Sequence, residues 1–212
     1  PIGLIFLGAN KVTTFDLYRQ YNRKAAKLSY QQQFMTKKIF SAFTSSEKYS
    51  KLIEKIGNSG FELSKLRSFG INYLAPYDIN LYKNNNSFDF ILSYTMLEHV
   101  PPKDISKLLF KSIHTLKKGA YFCHFIDLED HKDPKNNPFD FLKNKEWSDL
   151  DCYIRGNRLR LNDWKIIFDK IENIEYEFVT TLQRNKELLP KEIPKKINKY
   201  TSGILVIGRK NI

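Results

Sequence analysis

The octapeptide "HFIDLEDH" sets His124, Asp127 and His131 close together in the chain. An imidazole titrates near neutral pH, and a nearby carboxylate orients it and makes it more basic. Such a pair suits removal of a proton from a hydroxyl nucleophile. The competing reading of His124 is a hydrogen-bonded structural histidine. The three residues are also N and O donors of the kind metals take, but their spacing matches no metal motif and no metal is expected. A second pair, Glu98–His99, lies in "YTMLEHVPP". His99 reads as a group at an active-site mouth or as a partly buried residue opening a helix. Asp16 and Asp78 each follow a short apolar run, where a carboxylate can accept from the two hydroxyls of a ribose or cap a helix or turn. Asn157, Arg158 and Arg160 could hold an anionic or sugar substrate through charge-assisted bonds, or tie down a loop.

Something must position these residues, and the apolar periodicity says what. A helix is expected over Pro1–Gly8 and a short strand over Val12–Phe15. A polar helical stretch follows from Leu17 to about Phe43. The next helix starts at the capping box Thr44-Ser45-Ser46-Glu47, carries Tyr49, Leu52, Ile53 and Ile56 on one face, and ends at Gly57. Strands are expected over 71–76 and 88–94. Ile105, Leu108, Leu109, Ile113 and Leu116 then repeat at helical spacing, with Gly119 as the stop. A strand over 120–127 leads to a helix capped by Asn162, an alternating strand around Ile174, Tyr176 and Phe178, and a last strand over 203–208. Strands alternating with helices imply parallel pairing. The weak link between the final two strands implies an antiparallel last strand. In such a sheet ligands bind at the carboxyl ends of the strands, where Asp16, Asp78, the Tyr94–His99 segment, His124 and Asp127 fall.

Composition narrows the classes. With 212 residues, 42% of them hydrophobic, the chain is long enough for a substantial core and is globular rather than disordered. No apolar run approaches the roughly 18 residues of a membrane-spanning helix. Its two cysteines form no CxxC pair, which suggests a reducing, cytoplasmic setting without structural zinc. The net charge of +12 raises nucleic acid as a partner. Yet the lysines are scattered in ones and twos, with no arginine–aromatic platform, which weighs against it.

The block "YDINLYKNNNSFDFILSYTMLEHVPP" followed by "LKKGAYFCHFIDLEDH" resembles the central part of class I S-adenosylmethionine-dependent methyltransferases. "NRLRLNDWKIIFDKI" and "SGILVIGRK" are similar to that family's last helix and final strand. The resemblance implies a Rossmann-like α/β fold, with a mostly parallel sheet, helices on both faces and an antiparallel last strand. It implies one methyltransferase domain over 1–212 with a helical insertion around 17–70. It implies S-adenosylmethionine as cofactor, with Asp16 on the ribose hydroxyls, Leu17 against the adenine, Asp78 accepting from the adenine amino group and Ile79 beside the ring. Ser93, Tyr94 and Glu98 would lie near the methionine part, with His99, His124 and Asp127 catalytic and His131, Asn157, Arg158 and Arg160 toward the acceptor. The family's glycine loop, which would precede "PIGLIFLGANKVTTFDL", is expected upstream of Pro1. The implied reaction is methyl transfer to a small-molecule, sugar, glycan or lipid acceptor, at oxygen. The alternatives are an RNA methyltransferase and a non-catalytic cofactor-binding protein on the same fold.

Overall fold

The computed structural model describes residues 1–35 and 46–212, and two compact units, Pro1–Tyr82 and Lys83–Ile212, make up the chain. Thr44, Ser45 and the side chains of Ser46 and Tyr49 lie outside the described residues.

In the first unit the elements run α1 (Ile2–Phe6), β1 (Val12–Phe15), α2 (Arg23–Met35), α3 (Ser46–Asn58), α4 (Leu63–Ser68) and β2 (Ile71–Leu74). β1 and β2 pair in parallel, Val12 opposite Ile71 and Phe15 opposite Leu74. The apolar faces read from the sequence supply the core: Ile2, Ile5 and Phe6 of α1 with Ile53 and Ile56 of α3, Phe61, Leu66 and Ile71. Gly57 does not end its helix as expected. It lies inside α3, where any side chain would collide with the Tyr30 hydroxyl that donates to the Ile53 carbonyl at 2.9 Å.

The second unit holds β3 (Phe88–Tyr94), α5 (Pro102–Thr115), β4 (Leu116–Asp127), α6 (Asp149–Arg155), α7 (Leu161–Asp169), β5 (Ile174–Gln183), the short helix α8 (Ile197–Tyr200) and β6 (Thr201–Lys210). Its strands lie in the order β3-β4-β6-β5. β3 and β4 are parallel, and β6 runs antiparallel to both neighbours, so β3, β4 and β5 share one direction and the last strand is reversed. This is the mostly parallel α/β sheet with an antiparallel last strand that the sequence implies.

Two boundaries differ from expectation. The helix ends at Thr115 and β4 begins at once at Leu116, four residues early. Gly119 therefore sits within a strand: Phe88 pairs with Leu116 and Phe90 with Tyr121, and the extra residues bulge where Gly119 takes φ +74°. Asn162 is a second-position residue of α7 rather than its cap, because the Asp163 carboxylate accepts from the Arg160 amide at 2.8 Å and closes the helix start.

The core of this unit joins Ile105, Leu109 and Ile113 of α5, Phe122 and Ile126 of β4, Trp164 and Phe168 of α7, and Ile204 and Val206 of β6. Strand alternation places Phe122, His124 and Ile126 on this buried face and Asp127 on the other.

Candidate active site

The carboxyl ends of β3 and β4 carry the residues with chemistry. Beyond β3, Thr95 adopts φ +45°, uncommon for a β-branched residue, and its amide donates to the Phe125 carbonyl at 3.0 Å. That kink turns the chain into the one-turn 3₁₀ segment Leu97–His99. Asn157 holds this turn from outside: its side-chain amide donates to the carbonyls of Leu97 and Val100, each at 3.0 Å, and its backbone N–H donates to the Glu98 carbonyl at 2.7 Å. The Glu98 carboxylate is thereby fixed indoors, 2% exposed, with neither oxygen hydrogen-bonded. Burial raises its carboxyl to about 8, nearby backbone amides oppose the rise, and the charge of Asp127 adds to it.

Beyond β4, the segment 127–132 is pinned by its own acids. Asp127 accepts from the Glu129 amide at 2.9 Å and Asp130 from the Lys132 amide at 3.0 Å. Asp130, buried, also takes a two-pronged ion pair from Arg155, and Glu129 takes one from Arg184 at 2.6 and 2.9 Å. Gly156 sits beside the Glu129 carbonyl at φ +104°, a backbone conformation that L side chains rarely adopt.

These two segments bring four of the expected residues together. His131 Nε2 lies 3.7 Å from Asp127 Oδ2, and the His99 and His131 rings meet edge-on with centroids 4.7 Å apart. One ligand atom each from Glu98, His99 and His131 can be chosen within 4.8 Å of one another. Asp127 and His131 keep 32% and 25% of their side chains exposed, so the cluster opens to solvent on one side. Burial, with His131 next to it, lowers the His99 pKa, against raising contributions from the Tyr153 and Cys152 backbone and from Asp127.

His124 is elsewhere. Facing the core, it pairs through Nδ1 with Ser93 Oγ at 2.8 Å and is flanked by Phe122 and Phe168. Burial lowers its pKa to about 4. The carboxylate partner expected for it, Asp127, belongs instead to His131. Tyr94 is 69% exposed and stacks on Phe125 with centroids 4.8 Å apart.

Arg158 donates to the Asn144 carbonyl and lies over the Trp147 ring, and Arg160 is buried with bonds to the carbonyls of Leu128, Lys199 and Thr201. Asn157, Arg158 and Arg160 thus bond to carbonyls of the chain itself, while Arg160 Nε is buried without a partner. In the first unit Asp16 accepts from the Tyr73 hydroxyl at 3.0 Å, Leu17 is exposed, and Asp78 caps the turn Ile79–Leu81 by accepting from the Asn80 amide at 2.8 Å. Sequence reasoning missed Glu129, Asp130, Arg155 and Arg184, which place His131.

No family model and no curated protein matches this chain. Solved structures do resemble it. An S-adenosylmethionine-dependent methyltransferase from Thermotoga maritima is 24% identical, over 70% of this chain and 68% of its own, with a TM-score of 0.44. One from Methanosarcina mazei is 16% identical over 67% and 68%, with a TM-score of 0.43. A protein from Bordetella parapertussis is 14% identical over 76% of this chain, with a TM-score of 0.43, and the chain spans about half (51%) of its length. Many of the solved structures that resemble this chain are S-adenosylmethionine-dependent methyltransferases of the class I fold.

Proposed function

We propose that this protein transfers a methyl group from S-adenosylmethionine to a hydroxyl oxygen of a small-molecule, sugar or lipid acceptor. The observation that carries the reading is the convergence of Glu98, His99, Asp127 and His131 where the parallel strands β3 and β4 end, the ligand-binding edge of an open α/β sheet. The ordered motif block around the same residues supports it from the sequence side.

S-adenosylmethionine, when bound, supplies the electrophilic methyl group. What this chain supplies is placement and proton handling. A hydroxyl at the open side of the cluster would meet imidazole and carboxylate, and its proton would pass to that cluster. His131, held by Asp127 and by the pinned 127–132 segment, takes the acceptor-facing position. His124, neutral and enclosed, supports β3 through Ser93 instead.

The test is transfer of labelled methyl to a panel of sugars, lipids and RNA. Transfer to a hydroxyl acceptor is expected, and His131→Ala should cut turnover about 100-fold while cofactor affinity stays nearly unchanged. Transfer to RNA alone would overturn the acceptor class, and cofactor binding without any transfer would overturn the activity.

A further inference from the structure

The cluster holds four buried polar atoms without a hydrogen-bond partner: both carboxylate oxygens of Glu98, Nδ1 of His99 and Nε2 of His131. Buried polar groups are paired in the great majority of cases, and an unpaired buried carboxylate is among the costliest exceptions. These atoms are also not scattered. The ligand atoms of Glu98, His99 and His131 fall within 4.8 Å of one another. Around a divalent ion with bonds of about 2.0–2.2 Å, tetrahedral ligand atoms stand roughly 3.5 Å apart, so the three would close by about an ångström.

We infer that Glu98, His99 and His131 bind a divalent first-row transition ion, Zn²⁺ by ligand chemistry. Two imidazoles and a carboxylate form a three-ligand set that leaves a coordination position open, and imidazole selects transition ions over Mg²⁺ or Ca²⁺. Asp127, beside His131, adds a second carboxylate, so that Glu98 and Asp127 together balance a charge of two. The scaffold around the site matches the demand for fixed ligands. Asn157 clamps the turn bearing Glu98 and His99, and the Arg155–Asp130 pair fixes the loop bearing His131. His124, which shares the segment "HFIDLEDH" with Asp127 and His131, faces the other side of β4 and takes no part. Under the methyl-transfer reading, the open position is where an acceptor oxygen would bind and become more acidic, its proton passing to Asp127, the member of the cluster that is not a ligand. The ion site itself does not depend on that reading.

The test is titration of the chelator-treated full chain with Co²⁺, followed by visible absorption, then displacement by Zn²⁺. Saturation at one ion per chain is expected. His131→Ala and Glu98→Gln should each weaken binding by more than about tenfold, since even outer-shell losses reach that size. His114→Ala, remote from the cluster in sequence and outside the ligand set, should bind as wild type. Circular dichroism checks the fold, and the partly exposed His131 makes its variant decisive even if Glu98→Gln unfolds. No absorption bands, or equal affinity in wild type and His131→Ala, would overturn the site. Binding without methyl transfer would leave the ion site standing and remove only the activity.

Discussion

Asn157 shows how much of the candidate site depends on a side chain that touches no reacting atom. Its amide donates to the Val100 carbonyl and to the Leu97 carbonyl, which also accepts from the Val100 amide at 3.2 Å, and so holds the turn that carries Glu98 and His99. Removing it leaves both carbonyls without that donor. Asn157→Ala should therefore lower stability by about 1–3 kcal/mol, read by urea denaturation. It should also reduce turnover, because Glu98 and His99 lose their fixed placement. Wild-type turnover at reduced stability would show that the turn holds its shape without the clamp.

At the scale of elements, the loop leaving β4 is held less by its own sequence than by two arginines 25 and 55 residues away, Arg155 on Asp130 and Arg184 on Glu129. Asp130 is buried, so Arg155→Met would strand a carboxylate indoors at a cost of about 3 kcal/mol. The double change Arg155→Met with Asp130→Leu should recover most of that stability while activity stays low, because the loop no longer presents His131. Full activity in the double variant would show that the pair is dispensable for the site.

The same contrast separates what the sequence discloses from what it hides. The face of α5 is legible because burial repeats at 3.6 residues, and that repeat places Ile105, Leu109 and Ile113 correctly. The strand-end position of Glu98 and Asp127 follows from counting along β3 and β4. What could not be read is pairing across distance. The three-residue spacing in "HFIDLEDH" sets His124 and Asp127 on opposite faces of a strand, but nothing local says that His131 meets Asp127, because that depends on Arg155 reaching back to Asp130. Gly119 misled for a related reason: a glycine marks a left-handed residue but not whether it ends a helix or bulges a strand.

For the molecule as a whole, the pH response of stability is set by the few titratable groups that folding encloses. His124 is the clearest. Its ordinary pKa is 6.5 and burial brings it to about 4. Between those values the unfolded chain carries a proton that the folded chain refuses, so stability rises with pH across that window. The contribution is complete above 6.5 and is lost as pH falls toward 4. A displacement of this size corresponds to about 3 kcal/mol. Glu98 acts with the opposite sign: raised from 4.5 to about 8, it favours folding while protonated, and that contribution fades as pH rises through the same range and on toward 8. The two oppose each other between 4.5 and 6.5, so the wild-type curve alone cannot separate them, and a variant is needed. His124→Gln keeps an acceptor for Ser93 but cannot titrate. The chain's two tryptophans, Trp147 and Trp164, both lie in the second unit, so their fluorescence in urea follows the unfolding of the part that holds His124. Subtracting the variant's stability from the wild type's should give a difference that falls by about 3 kcal/mol from pH 7 to pH 4. A flat difference over that range would mean that His124 takes up its proton in the folded state as readily as in the unfolded chain, and that the Ser93–His124 pair is not the enclosed, neutral support for β3 described above.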